Sequence, residues 1–359
     1  MSLIKTNNRT LDGNQGRRNL IINGAMQVAQ RDTSFSTGTS GAYTLDRWQV
    51  LPGSSANFDA TITQDTTVPD TEGFTNSLKI AVDSVISYTS GQNNCFVQKL
   101  EKYSVQHLRY GTSNAKSVTL SFWVRSNVTG TYNLQIQTNQ SSSTEADKYS
   151  YVTDWNVSTA DTWEKKTITI PGNTAQSFNQ GVRDEAFRVV FHFGGDSDDN
   201  VSTLDQWFQS GAYKNTANLD NLFSDASNEL YLTGLQLEVG SVPSDFEHLL
   251  YGEELSLCQR YYFETNKITG QVANASNAIF QGLFRTEMRT RPTVSGGPYT
   301  IWQMTVAGSK TQSSANNNAD TNQNNRQSFN IQCGNFSGLS QYYPVGIASG
   351  GPIKFDSEL

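Results

Sequence analysis

The sequence predicts an all-β protein: a jelly-roll β-sandwich over residues 17–250, then a smaller C-terminal β-sandwich over residues 251–359, joined by a short helix. Three observations predict it. Apolar and polar residues alternate with period two through most of the chain, carried by β-branched and aromatic side chains that fit a half-buried pleated surface. Gly and Pro stop these runs at short intervals. Only one stretch, GEELSLCQRYYFE at 252–264, carries a helical stripe.

Taken in order, SVTLSFWVRS (117–126) places Val118, Leu120, Phe122 and Val124 on one face, and TYNLQIQT (131–138) follows after the turn Val128-Thr129-Gly130. The two read as a hairpin. KKTITIPG (165–172), EAFRVVFHFG (185–194) and ELYLTGLQLEVG (229–240) are further strands, each closed by Gly or Pro. Strands at this spacing, with no long helix between them, make a sandwich or jelly roll. In the helical stretch Leu255, Leu257, Cys258, Tyr261 and Tyr262 form a broken apolar stripe, and Glu253 and Glu254 sit at the N-terminus, where the helix dipole favours them. The stripe packs either on its own domain or along a threefold axis. Beyond it lie the strands AIFQGLFRTEM (278–288), YTIWQMTVAG (299–308), SFNIQCG and PIKFDSEL. The Asn-rich segment from about 313 to 327 has too little apolar content to pack and reads as an exposed loop.

Charged residues make up 16% of the 359, below the roughly 25% of an average soluble protein. Asn, Gln, Ser and Thr supply the polarity instead, which suits an extracellular β-protein that recognises polar ligands by hydrogen bonds. A net charge of −7 argues against neutralising phosphates, so nucleic acid is not an expected partner. No apolar run reaches the length of a membrane span, and the start MSLIKTNNRTLDG lacks the apolar core of a signal peptide. No membrane insertion is expected, and synthesis in a cytoplasm without a standard export signal is. Cys95, Cys258 and Cys333 are odd in number with no CxxC spacing, and read as small buried hydrophobes.

Four stretches carry a resemblance: RRNLIINGAMQVAQRDTSF with AYTLDRWQV, then VTLSFWVRSNVTGTYNLQI, then ELYLTGLQLEVGSVPSDFEHLLYGEELSLCQRYY. Together they resemble the tail fibre, or receptor-binding, proteins of tailed bacteriophages, from Arg17 to the C-terminus. The resemblance implies a carbohydrate-binding-module-like jelly roll followed by a C-terminal β-domain. It also implies a homotrimeric virion protein, made in the host cytoplasm, that attaches to host cell-surface polysaccharide. Residues 1–16 would be the virion-attachment segment that meets other phage tail or virion proteins. Many relatives carry a longer segment there. A structural decoration or tail-assembly protein without a ligand site is the first alternative, and a glycan depolymerase the second.

No catalytic constellation stands out, so a non-enzymatic protein is expected. His107, His192 and His248 are the only histidines, neither GxSxG nor HExxH occurs, and His192 reads as structural. A glycosidase needs two carboxylates at a set separation, for which Asp196, Asp198, Asp205, Asp220 and Asp225 are available. Sugar binding rests on aromatic faces that lie against a pyranose, and an aromatic on a loop is freer for it than one in a strand. Trp155, Trp207, Phe208 and Tyr213, with Asp205, are therefore the carbohydrate candidates. Trp48, Trp123, Trp163 and Trp302 are assigned to cores. Arg285, Arg289 and Arg291 read as an ion-pairing or solvated edge ahead of an acidic-glycan contact.

The loop GGDSDDNVSTLDQW (194–207) does not fit an EF-hand, since the sixth and twelfth positions from Asp196 are Val201 and Trp207. No cofactor is expected. A structural calcium stays open at Asp196, Asp198 and Asp199, because calcium accepts oxygens from scattered loop positions, beside the reading of a solvated turn.

Overall fold

The computed structural model describes residues 17–37, 41–52, 58–138, 148–266, 268–305, 308–313, 316–318 and 324–359. The expected attachment segment 1–16 lies outside the described residues, as does part of the Asn-rich stretch. The chain forms two compact units, Met1–Leu249 and Leu250–Leu359, and is all-β with four antiparallel sheets.

The strands of the first unit are β1 (Ser34–Ser36), β2 (Gln49–Pro52), β3 (Ala60–Asp65), β4 (Ser77–Val82), β5 (Asn93–Glu101) and β6 (Val118–Ser126). They continue with β7 (Gly130–Thr138), β8 (Tyr149–Val157), β9 (Glu164–Ile170), β10 (Glu185–Gly195), β11 (Trp207–Gln209) and β12 (Glu229–Val239). Sheet I has the order β1-β3-β4-β12-β6-β9 and sheet II the order β11-β8-β7-β10-β5-β2. Side chains alternate across a strand, and in β6 Val118, Leu120, Phe122 and Val124 are all fully buried. Phe122 meets Trp155 and Phe191 of sheet II edge to face, at 5.2 Å each. These contacts fill the space between the sheets.

The NLIING stretch of the resemblance joins the two sheets. Asn19 donates from Nδ2 to the Leu235 carbonyl of sheet I (3.0 Å) and accepts from the Leu237 N–H (3.0 Å). Ile22 exchanges two 2.8 Å hydrogen bonds with the Gln98 amide of sheet II. A Cβ at position 24 would stand 2.1 Å from the Leu235 carbonyl oxygen, so the approach requires glycine. Trp48 is fully buried as expected, stacked 4.8 Å from Phe96.

The second unit opens with a helix, Tyr251–Gln259, shorter than the sequence suggests. Tyr262 belongs instead to β13 (Tyr262–Thr265), and both Tyr261 and Tyr262 are buried. Tyr261 lies in the turn between helix and strand, and the aromatic side chain of Tyr262 suits a strand. The strands β14 (Thr269–Asn274), β15 (Asn277–Leu283), β16 (Thr293–Ser295), β17 (Thr300–Thr305) and β18 (Gly308–Ser313) follow. After them come β19 (Asn316–Asn318), β20 (Ser328–Gly334), β21 (Pro344–Ser349) and β22 (Ile353–Asp356). A three-stranded sheet, β13-β22-β16, and a seven-stranded sheet, β18-β17-β21-β14-β15-β20-β19, share an aromatic core in which Phe329 and Phe355 lie 4.7 Å apart. The Asn-rich stretch is not wholly a loop, since Asn316–Asn318 pairs with β20 at the sheet edge. An edge strand is held by its backbone ladder on one side and tolerates polar residues. All three cysteines are buried, and none is in a disulfide.

Candidate functional site

The first sandwich has two outward faces on which side chains could meet a ligand. On sheet II, the same alternation that turns Phe187, Val189, Phe191 and Phe193 inward turns Arg188, Val190 and His192 outward. In register beside them stand Gln137, Gln135 and Asn133 of β7. This polar face is crossed by the chain itself. Ser150 Oγ donates to the Ser210 carbonyl (2.9 Å), Gln137 Nε2 to Gly211 (2.7 Å) and Gln135 Nε2 to Ala212 (2.9 Å). The Lys214 N–H donates back to Gln135 Oε1 (3.2 Å), and the Thr216 N–H to Asn133 Oδ1 (2.8 Å). Segment 210–216 is thus a strap fixed by side-chain amides, which offer both donors and acceptors.

Tyr213 is pressed into this face against Cys95, Val97 and Val190, and its hydroxyl accepts from Arg188 (3.1 Å). Burial pushes the phenol up to about 12, against the lowering effect of Arg188. Below it, His192 Nε2 meets Gln135 Oε1 at 3.1 Å and Nδ1 lies 3.3 Å from Cys95 Sγ. Burial lowers the imidazole to about 3 and raises the thiol well above its ordinary range. Both groups therefore stay neutral, which is the opposite of an activated Cys–His pair.

Of the other sequence candidates, Trp155 is corrected. It lies in β8 and is buried, packed on Phe122 and Tyr132, so its ring faces are closed to a sugar. Trp207 and Phe208 are successive residues of β11 and point to opposite faces. Trp207 is half-buried on the core side, edge-on to Tyr110 at 5.8 Å, with its Nε1 donating to the Pro171 carbonyl (2.7 Å). Phe208 pairs with Ser150 beside the strap. Asp205 is exposed, with φ +59°, and its carboxylate accepts from the Tyr151 hydroxyl at 3.5 Å. The structure therefore brings Tyr213 and Phe208 to one face and sends Trp155 and Trp207 to the other.

The acidic loop is committed to local bonds. Asp196 Oδ1 accepts from the Asp198 N–H (2.9 Å), Asp198 accepts from Ser90 Oγ (2.5 Å), and Asp199 pairs with Lys214 Nζ (2.8 Å). Among the described residues, no group of three or more His, Cys, Asp or Glu side chains is placed to hold a metal ion. In the second unit, Arg289 donates to the Ser357 and Glu358 carbonyls (2.6 and 2.7 Å), which ties down the chain's end, while Arg285 and Arg291 are exposed.

Sheet I carries what the sequence reading assigned to cores. Trp123 alternates with the buried Phe122 and Val124 and so faces outward, half-buried, and Trp163, just before β9, is half-buried against Tyr231 of the same face. Trp163 lies edge-on to Tyr231 (6.3 Å), whose ring sits under Lys79 Nζ (5.4 Å) and the Arg125 guanidinium (5.3 Å). Lys79 pairs with Glu229 at 2.6 Å, and Arg125 with Asp161 at 2.7 Å. Partial burial pushes the Glu229 carboxyl up, but hydrogen bonds from Lys79 and Tyr231 outweigh it and hold the group below its ordinary value. Among the described residues the indole N–H groups of Trp123 and Trp163 have no partner, whereas those of Trp48 and Trp207 are bonded to carbonyls. The signal was present in the sequence: the alternation that buries Val118, Leu120, Phe122 and Val124 turns Trp123 out.

No family model matches the chain, and no curated protein is significantly similar to it. Among solved structures it is similar to the enzymatically active domain of tailspike protein 4 of bacteriophage CBA120, at 13% identity and TM-score 0.32. That match covers 62% of this chain and 21% of the tailspike chain. TmCBM61 in complex with β-1,4-galactotriose matches at 8% identity and TM-score 0.31, over 62% of this chain and all of that one. The CBM22-2 xylan-binding domain of Paenibacillus barcinonensis Xyn10C matches at 13% and 0.29, over 54% of this chain and 92% of its own. Likenesses this weak carry no argument about ligand or activity.

Proposed function

We propose that the chain is a non-catalytic bacteriophage tail fibre protein that attaches the virion to host surface glycan through the outward face of sheet I. The virion role draws on the resemblance that starts at Arg17. The glycan role is carried by one observation: Trp123 and Trp163 are half-buried indoles on a sheet face, with N–H groups that have no partner among the described residues. An indole offers an apolar face to a pyranose and a donor at its edge. The Lys79–Glu229 and Arg125–Asp161 pairs beside Tyr231 hold the floor under Trp163 and present fixed charges to a ligand's hydroxyls. A homotrimer would multiply a weak site by avidity.

The test is binding of purified protein to cells and extracted surface polysaccharides from a bacterial panel, comparing wild type with Trp123→Ala, Trp163→Ala and Trp207→Ala at matched oligomeric state. We expect the first two variants to lose about tenfold in affinity, the scale of a buried aromatic anchor. Trp207→Ala, whose ring faces the core, serves as the control for a packing defect. If no preparation binds wild type, or the Trp123 and Trp163 variants bind as well as wild type, the proposal fails.

A further inference from the structure

The second unit has an outward sheet face with a different chemistry. In β17 the buried Ile301 and Gln303 alternate with Trp302, which is half-buried, and Met304, which is 57% exposed. Trp302, expected in the core, therefore lies on the surface. Its partner in register on β21 is Gly346, and a Cβ there would come within 2.4 Å of the indole. The ring lies flat on the backbone of the neighbouring strand, which only glycine allows, and its position is fixed before any ligand arrives. Among the described residues its N–H has no partner.

The described neighbours in register with Trp302 are uncharged. Gly346 pairs onward with the exposed Thr269, and the adjacent row runs through Pro344, Gln271, Ile279 and Gln332. Thr269 and Gln271 are exposed, so a hydroxyl and a primary amide stand in the two rows beside the ring. This differs from sheet I of the first unit, where the tryptophans stand among Lys79, Arg125, Glu229 and Asp161.

We infer that the Trp302 face is a second glycan site, one that takes a neutral oligosaccharide. A pre-laid indole supplies the stacking surface, and amides and hydroxyls can both donate to and accept from sugar hydroxyls. With no charge among the described residues of either row, an ionised sugar gains nothing from them and loses hydration. A second copy of this chain is a poorer occupant, because the amides on the face would have to be matched across an interface whose centre is normally apolar. The inference does not depend on the sheet I reading.

The test uses the full chain labelled with 5-fluorotryptophan. The chain has six tryptophans, and the Trp302 fluorine resonance is assigned by its loss in Trp302→Phe. The protein is titrated with gluco-, galacto- and manno-hexasaccharides and with an oligouronate of similar length. At least one neutral hexasaccharide is expected to shift the Trp302 resonance saturably while the buried Trp48 and Trp155 resonances stay fixed, and the oligouronate to leave Trp302 unmoved. Trp302→Ala should weaken that binding by about tenfold or more. Gln271→Ala, which leaves the ring in place, should weaken it by about threefold to tenfold, the worth of one hydrogen bond.

Three outcomes would overturn the inference. The Trp302 resonance stays fixed with every neutral sugar at millimolar concentration; the oligouronate and neutral sugars shift it equally; or it moves with protein concentration alone, which assigns the face to contact between copies. Shifts confined to Trp123 and Trp163 would support the sheet I proposal and sink this one, so the two readings fail separately in one spectrum.

Discussion

On the outward face of sheet II, the amides of Asn133, Gln135 and Gln137 are bonded to the chain's own segment 210–216. On the outward face of sheet I, the indole N–H groups of Trp123 and Trp163 have no such partner among the described residues. Both faces belong to one sandwich and both are rich in hydrogen-bonding groups. The difference is where those bonds end. A polar face whose donors and acceptors are matched internally is rigid and costly to disturb, because any group left unmatched is buried. A face with unmatched groups at its surface loses little when one is removed and has something to offer a ligand.

The largest expected effect breaks the strapped face. Asn133 is fully buried and bonds the Thr216 N–H, the Thr216 hydroxyl (3.0 Å) and Asp154 (2.7 Å). Asn133→Ala strands the first and leaves Asp154 short of a donor, at a cost of about 3 kcal/mol. Trp163→Ala on the other face should cost under about 1 kcal/mol, as for a partly exposed side chain. Denaturant unfolding of the two variants measures the contrast. Equal losses would mean that the strap is not held by its amides.

Acid should act on the same face. His192 has its pKa lowered by burial to about 3, against an ordinary 6.5, so between these values the unfolded chain binds a proton that the folded chain does not. Stability from this group is fully present above pH 6.5 and falls as the pH drops toward 3, by about 1.4 kcal/mol per unit at most. From pH 6.5 to 5 the loss is about 1.6 kcal/mol, and His192→Gln should flatten that part of the profile. An unchanged slope in the variant would show that other groups govern the acid response.

Much of the architecture was legible in the sequence, because alternation and turn residues act locally. The strands of the first unit near 117–126, 131–138, 185–194 and 229–240 follow from pattern alone. The helix end was not, since Tyr261 and Tyr262 extend a helical stripe equally well, whereas Tyr261 lies in the turn after the helix and Tyr262 pairs with Asp356 in the sheet. For the sites, the rule that loop aromatics face solvent failed in both directions. The connection that holds Tyr213 returns across a sheet whose polar outer face could be matched only by backbone, a long-range fact with no local signature. Trp123 and Trp302 were readable from parity, as each alternates with buried neighbours, but the large apolar indole makes a strand tryptophan read as core. Trp155 was ambiguous by parity, with Val152 and Tyr151 both buried on opposite faces of β8.

The smallest expected effect concerns the acidic loop at the downstream end of the strap. Asp196 braces the turn and takes the Asn215 amide on its carbonyl (3.0 Å), Asp199 is neutralised by Lys214, and Asp198 is an exposed residue bonded to Ser90. A calcium ion would have to draw these carboxylates away from partners they already hold. Asp198→Asn keeps an oxygen for Ser90 and should change stability by less than about 0.5 kcal/mol. Millimolar calcium should leave the melting temperature of wild type unmoved. A rise of several degrees with calcium, lost in Asp198→Asn, would show that the loop rearranges around a cation. The strap would then be clamped by a metal at one end as well as by amides along its length. Without that rise, the clip between the loop and Asn215 is held by hydrogen bonds and one ion pair, and the strapped face is closed by the chain's own groups alone.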